Sequence, residues 1–202
     1  MTAHRHRRWR GLEQIPWLYD LAMALAERGL LGRWRRWLVG GARGRVLELG
    51  CGTGRDLPLY PPGAAVIGMD PSFPSLRAAR RRRPGALLVQ ASAEALPFRS
   101  GAFDCAVSGL VLCSVEDPVA ALAETRRVLA RGGTLRAIEH VRARRRLGAW
   151  LQDVGQRPWT WLTGGCRPNR DTEAAVQAAG FLVDEDGRRA RGLLRRFSAS
   201  PR

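Results

Sequence analysis

The stretch Val46-Leu47-Glu48-Leu49-Gly50-Cys51-Gly52-Thr53-Gly54 reads as a buried strand that breaks into a glycine loop. Glycines at 50, 52 and 54 let the backbone turn tightly and approach a ligand more closely than a residue with a Cβ could. The stretch therefore marks a nucleotide-type cofactor site. A dinucleotide fingerprint would run on as GxGxxG, but position 55 is Arg, and the acidic Glu48 stands two residues ahead of the first glycine. That pattern points away from NAD. Twenty positions after Gly50, Gly68-Met69-Asp70-Pro71 supplies an acidic residue at the end of the next strand pattern.

Outward from this loop the chain alternates. Strands are expected at 45–49, 65–69, 86–90, 103–108 and 134–139, with helices from about 55, at 73–82 and at 118–130, the last begun by Pro118 and followed by the Gly132-Gly133 stop. Such alternation specifies an α/β fold with a parallel sheet covered on both faces. A further helix at 171–179 closes at Gly180, and 181–184 with 193–197 can pair as a final antiparallel hairpin, which makes seven strands. Ahead of the first strand, two helical pieces at about 16–28 and 30–39 read as a cap over 12–44, and residues 1–11, rich in Arg, as a mobile arm. The cofactor domain is then 45–202, with an acceptor-pocket insertion at about 142–170.

The 202 residues suit one domain with a substantial core. The formal charge of +16 would suit a polyanion or an anionic membrane surface, but all 34 basic residues are Arg, which also reflects compositional bias. A nucleic-acid protein would cluster its Arg with stacking aromatics on one face, whereas here the Arg are scattered along the chain. Cys51, Cys105, Cys113 and Cys166 form no CxxC pair, so their spacing suggests neither a zinc site nor a disulfide framework. No apolar run reaches the roughly 20 residues of a membrane helix. A cytoplasmic protein is expected, with peripheral membrane contact open to the basic N-terminus; oligomeric state is not legible.

Glu48 and Asp70, with Tyr19-Asp20, Ala93-Glu94-Ala95-Leu96-Pro97-Phe98, Phe103-Asp104, and Glu124 with Arg127-Val128-Leu129 and Gly132-Gly133, resemble the class I S-adenosylmethionine-dependent methyltransferases of the ubiquinone, menaquinone and phospholipid branch. Within that branch, Tyr60-Pro61-Pro62-Gly63, Leu110-Val111-Leu112-Cys113-Ser114-Val115, Glu139-His140-Val141, Pro158-Trp159, and Gly165-Cys166 followed by Arg170 are similar to the alkyl-thiol methyltransferases of the methyltransferase-like family 7. The resemblance implies a Rossmann-like fold, S-adenosylmethionine as cofactor and S-adenosylhomocysteine as product. It implies cofactor contacts at Tyr19, Glu48, Gly50, Cys51, Gly52, Thr53, Gly54, Asp70, Pro71, Ser92, Ala93, Glu94, Gly109 and Leu110. Asp70 can hold a ribose diol, and Glu48 can act on the cationic methionine portion through its field or through a loop amide. Ser92 stands where the branch usually has an acidic residue for the adenine amino group.

The acceptor implied is a small lipophilic molecule, favoured a thiol, with O- or C-methylation of a quinone, phenol or natural product, or N-methylation of a phospholipid headgroup, as the alternative. His140 follows the fifth strand and could draw off the acceptor proton; a structural histidine paired with Glu139 is the other reading. Cys113 reads as pocket lining rather than a nucleophile. Trp150, Gln152, Trp159 and Arg170 fall where the branch builds its acceptor pocket, although plain helix packing would also account for the tryptophans.

Overall fold

The computed structural model describes Gly11 and residues 15–202, so residues 1–10 of the Arg-rich arm expected to be mobile, and 12–14 of the expected cap, lie outside the described residues. Two helices come first, α1 (Pro16–Ala26) and α2 (Leu30–Gly40). The strands are β1 (Arg45–Leu49), β2 (Ala65–Asp70), β3 (Leu87–Gln90), β4 (Phe103–Gly109), β5 (Leu129–His140), β6 (Phe181–Arg191) and β7 (Leu194–Pro201). Between them lie α3 (Phe73–Arg82), α4 (Pro118–Val128), α5 (Arg146–Thr163) and α6 (Thr172–Ala178). They make one seven-stranded sheet of order β3-β2-β1-β4-β5-β7-β6. β1 pairs in parallel with β2 and β4, β2 with β3, and β4 with β5. β7 runs antiparallel to both β5 and β6, as the hairpin expectation requires.

The period-2 alternation of side chains divides the core between the two faces of the sheet. Val46, Cys105, Val107 and Ile138 pack with Leu38 and Val39 of α2 and with Ala79 of α3. Ala106, Leu135 and Ala137 pack with Ala121 and Leu122 of α4, Val176 of α6, and Phe181 and Phe197 of the hairpin. Ser72 and Asp117 cap α3 and α4, accepting backbone N–H bonds from Ser75 and from Val119 and Ala120.

Two expectations fail locally. No α-helix starts near 55; only a single 3₁₀ turn, Leu57–Leu59, forms there. Pro58 sits inside that turn and Pro61-Pro62 follow it, so a regular helix would lose the amide donors it needs. The boundary near 129 also moves: α4 ends at Val128, and β5 runs from Leu129 through the glycine pair, with Gly132 at φ +75 and a register shift opposite Phe103 and Cys105. The glycines thus form a bulge within a strand rather than a stop ahead of one.

Candidate active site

The sheet order reverses direction at β1, which has β2 on one side and β4 on the other, and a crevice at such a point lies beyond the carboxyl ends of the strands. The glycine loop leaves β1 there. Gly50, Gly52 and Gly54 adopt φ of +53, +53 and +76, conformations that a residue with a Cβ rarely takes. A Cβ on Gly50 would come within 2.6 Å of Val111, and one on Gly54 within 2.8 Å of Ala79, so these two glycines serve packing. Around Gly52 the nearest such atom is the Gly50 carbonyl oxygen at 3.9 Å, which leaves space for a ligand.

Asp70, at the end of β2, braces this loop. Its Oδ2 accepts from the Gly52 amide at 3.0 Å and its Oδ1 from the Ser72 amide at 2.8 Å, while each oxygen keeps lone pairs for a ligand hydroxyl. Cys51, whose amide donates to the Met69 carbonyl, is buried, and burial followed by the fields of Glu48 and Asp70 pushes its thiol up. Burial, reinforced by Asp56, raises the Glu48 carboxyl well above the usual range. Glu48 Oε2 and Tyr60 Oη have no hydrogen-bond partner of standard geometry, although the two groups lie near enough to perturb one another's titration. Three carboxyls, Glu48, Asp56 and Asp70, are thus buried around the loop, and Arg35 is paired with Asp56 at 2.7 Å. The Asp56 charge is compensated by Arg35, and the Glu48 carboxyl, held protonated by burial, would ionise beside a cationic ligand. The open cradle at Gly52, the orphaned Glu48 oxygen and the Asp70 carboxylate fit the implied cofactor, which supplies an electrophilic sulfonium methyl group when bound.

Helix α1 is tied to the same loop. Asp20 accepts from Thr53 Oγ1 at 2.7 Å, from Arg55 at 3.1 Å and from Arg82 at 2.7 Å, and Arg55 also pairs with Glu27. Burial pushes the Asp20 carboxyl up, but the Arg82, Thr53 and Arg55 hydrogen bonds outweigh it and hold it below the ordinary value. Tyr19 is half-buried beside this network. The sequence pattern marks Asp20 but neither its partner Arg82 nor the separate Arg35–Asp56 pair; a buried arginine of a cap helix carries no local signature.

Beyond β3, Ser92 Oγ donates to Glu94, and Glu94 Oε1 accepts from the Glu116 amide at 3.0 Å and the Asp117 amide at 3.4 Å. Ala93 is buried in the core under α4, whereas Pro71 is exposed and its carbonyl accepts from Gln90. Glu124 and Arg127 hold the neighbouring loop by its backbone, through the Leu96 amide and the Leu96 and Phe98 carbonyls. Past β4, Gly109 leads to Leu110 at φ +64, a left-handed conformation that is costly for a side chain with a Cβ and is held by the Leu110 amide on the Ile138 carbonyl at 2.7 Å.

At the ends of β4 and β5 the geometry departs from expectation. Glu139 is committed to the turn after β4. Its fully buried carboxylate accepts from Ser108 Oγ at 2.6 Å and from the amides of Val111, Leu112 and Cys113 at 3.1 to 3.2 Å, so it caps the turn after β4. His140 instead faces two sulfurs: its Nδ1 lies 3.7 Å from Cys113 Sγ and 3.6 Å from Cys166 Sγ, and the sulfurs are 3.9 Å apart. Sharing with Cys113, opposed by burial and helped by His140, lowers the Cys166 thiol to about 4, while Cys113 is pushed up. One proton between the two sulfurs accounts for both directions. Cys166 was visible in the sequence only through its resemblance, with no spacing to link it to Cys113.

The remaining pocket candidates are divided. Gln152 is buried and spent on backbone, with its Oε1 on the Ala143 amide and its Nε2 on the Val141 and Pro168 carbonyls. Arg170 donates to the Leu112, Val115 and Glu116 carbonyls and so fixes the Cys113 turn from outside. Trp150 and Trp159 on α5 are 58% and 44% exposed, and the Trp159 side chain also reaches the Cys166 sulfur.

A family model described as a methyltransferase domain matches residues 47–137, the span from β1 into β5. Human thiol S-methyltransferase TMT1B is 36% identical over 153 residues, covering 70% of this chain and 62% of its own length. Human thiol S-methyltransferase TMT1A is 31% identical over 174 residues, covering 81% of this chain and 70% of its own length. The chain therefore spans somewhat under two thirds of the first relative and slightly more of the second. A solved S-adenosylmethionine-dependent methyltransferase of Thermotoga maritima superposes with a TM-score of 0.71 at 23% identity, covering 95% of this chain and 99% of that one, which establishes the shared fold. No described helix is long and apolar enough to cross a membrane. With the glycine cradle, the acidic wall and the strand order in place, the chain belongs to the S-adenosylmethionine-dependent methyltransferases.

Proposed function

We propose that this protein transfers the methyl group of S-adenosylmethionine to the sulfur of a small lipophilic thiol. The observation that carries the reading is the imidazole of His140 beside two cysteine sulfurs at the end of β5, one of them on Cys113 in the turn that begins at Val111, which packs on Gly50 of the glycine loop. Methyl transfer from a sulfonium is an in-line displacement, so the protein has to position the acceptor opposite the methyl group and exclude water. A thiol asks for little further activation. With a pKa near 8.5 it is already a few per cent thiolate at neutral pH, and a basic or cationic neighbour raises that fraction. The thiol S-methyltransferases that share 31% and 36% identity with the chain support the same choice of acceptor.

In this reading Glu48, Asp70 and the loop at 50–54 bind the cofactor, Ser92, Ala93 and Glu94 border the adenine, and His140 promotes ionisation of the acceptor. The exposed tryptophans of α5 would meet a lipophilic acceptor as it enters. Incubation of the purified protein with methyl-labelled cofactor and panels of thiols, phenols, quinones and phospholipids tests it. Thioether products are expected. Turnover of phenols or quinones with no thiol methylated would overturn the assignment.

A further inference from the structure

Cys113, His140 and Cys166 come from three separate segments, yet one ligand atom from each lies within 4.8 Å of the others. Zinc bound tetrahedrally, with Zn–S near 2.3 Å and Zn–N near 2.0 Å, spaces two sulfurs about 3.8 Å apart and a sulfur and nitrogen about 3.5 Å apart. The cluster shows 3.9 Å between sulfurs and 3.7 and 3.6 Å from sulfur to Nδ1, so its three edges match three edges of that tetrahedron. We propose that Cys113 Sγ, Cys166 Sγ and His140 Nδ1 hold a zinc ion whose fourth position receives the acceptor thiol.

The surroundings support the site. Each ligand is fixed by its backbone: Glu139 caps the turn carrying Cys113, the Arg167 amide donates to the Cys113 carbonyl at 2.8 Å, Thr160 Oγ1 to the Cys166 carbonyl at 2.9 Å, and Thr172 Oγ1 to the His140 carbonyl at 3.1 Å. Backbone held in this way keeps the three side chains converging whether or not an ion is bound. Both cysteines are buried and His140 is half-buried, so the ion would be shielded on the protein side and approached past the imidazole. Two thiolates and a neutral imidazole balance the double charge of zinc, which removes the cost of leaving a net charge in the interior.

Three protein ligands with one open position are the arrangement of catalytic rather than structural zinc. The acceptor role rests on the thiol reading above; metal binding does not. A thiol entering the open position gives up its proton to solvent, because coordinated thiols are deprotonated, so that His140 promotes this ionisation through the ion it holds rather than as the base itself. A sulfur lone pair then forms the new bond to the methyl carbon, the bond from that carbon to the sulfonium sulfur breaks with its electron pair staying on that sulfur, and the neutral thioether is a weaker ligand that can leave.

The test strips the reduced protein with a chelator, reloads it with zinc or cobalt(II), and measures bound metal by mass spectrometry and by absorption. One zinc per chain is expected, as are thiolate-to-cobalt charge transfer and the intense visible bands of a tetrahedral ion. Cys113→Ser, Cys166→Ser and His140→Ala should each weaken binding by roughly 100-fold or more, with folding checked by circular dichroism and retained cofactor binding. Cys105→Ser, outside the cluster, should keep the cobalt spectrum. Adding a small alkanethiol should shift the visible bands, and a phenol should not. Absence of stoichiometric metal, or a Cys113–Cys166 disulfide in its place, overturns the site. Bound metal whose spectrum ignores thiols overturns the open acceptor position, whereas failure of the thiol reading would instead appear as the lack of any methylated thiol in the product panel.

Discussion

Glu139 Oε1 sits 2.6 Å from Ser108 Oγ, joining the end of β5 to the end of β4, and the same carboxylate gathers the three amides of the turn at Val111 to Cys113. Glu139→Ala would strand four donors in a buried place, each costing about 1 to 3 kcal/mol. A loss of about 3 kcal/mol or more in urea unfolding is expected, with Glu139→Gln intermediate. A loss below about 1 kcal/mol would show that the turn does not depend on this carboxylate.

Glu48 should make stability depend on pH. Its folded pKa lies well above the unfolded value, chiefly through burial and then through Asp56. The folded state therefore retains a proton that the unfolded chain releases; this contribution is fully present below the unfolded pKa and is lost as pH rises through the folded one. Glu48→Gln, neutral throughout, should gain stability relative to the native chain between about pH 5 and 8. Denaturation curves at both ends of that interval check it, and a gap that narrows with rising pH would contradict it.

Asp70→Ala should weaken S-adenosylmethionine binding by about 1.5 to 3 kcal/mol in calorimetry, the range for hydrogen bonds to a charged group. Asp70→Asn should retain only part of the affinity, since an amide offers one acceptor where the Gly52 and Ser72 amides require two. Unchanged affinity in folded variants would remove Asp70 from the site.

Gly52→Val should abolish cofactor binding by filling the open space in the loop and forcing a β-branched residue into φ +53. Its folding is checked by circular dichroism. A folded variant that binds normally would show that the ligand lies elsewhere.

His140→Ala should lower the rate on thiols most near neutral pH and much less above the thiol pKa, where the thiolate forms unaided. The pH profile of kcat/KM decides it. An equal loss at every pH would assign His140 to positioning the acceptor.

Local pattern determined a good deal of this protein. Buried strand, glycine loop and Asp-Pro announced the carboxyl ends of β1 and β2 and the turn that leaves β1, and the alternation of strand and helix announced the mostly parallel sheet with its closing hairpin. These readings hold because strand burial, glycine conformation and helix capping are properties of adjacent residues. Where long-range partners compete, the pattern misleads. After Gly54, prolines allow only a 3₁₀ turn while Asp56 goes to Arg35, and at Gly132 the pairing with β4 carries the strand back to Leu129.

The side-chain arrangement at the ends of β4 and β5 was decided by tertiary structure alone. Glu139 and His140 are chain neighbours on a strand, so their side chains leave on opposite sides, one into the buried turn and the other toward the sulfurs. Cys113 and Cys166 lie 53 residues apart, with no local period to relate them. They meet because the Glu139 carboxylate curls the turn after β4 and the Arg167 amide draws the loop after α5 onto the Cys113 carbonyl. Local spacing records which residues can reach one another along a single helix or strand, whereas this cluster depends on where three separate segments end once the sheet has paired.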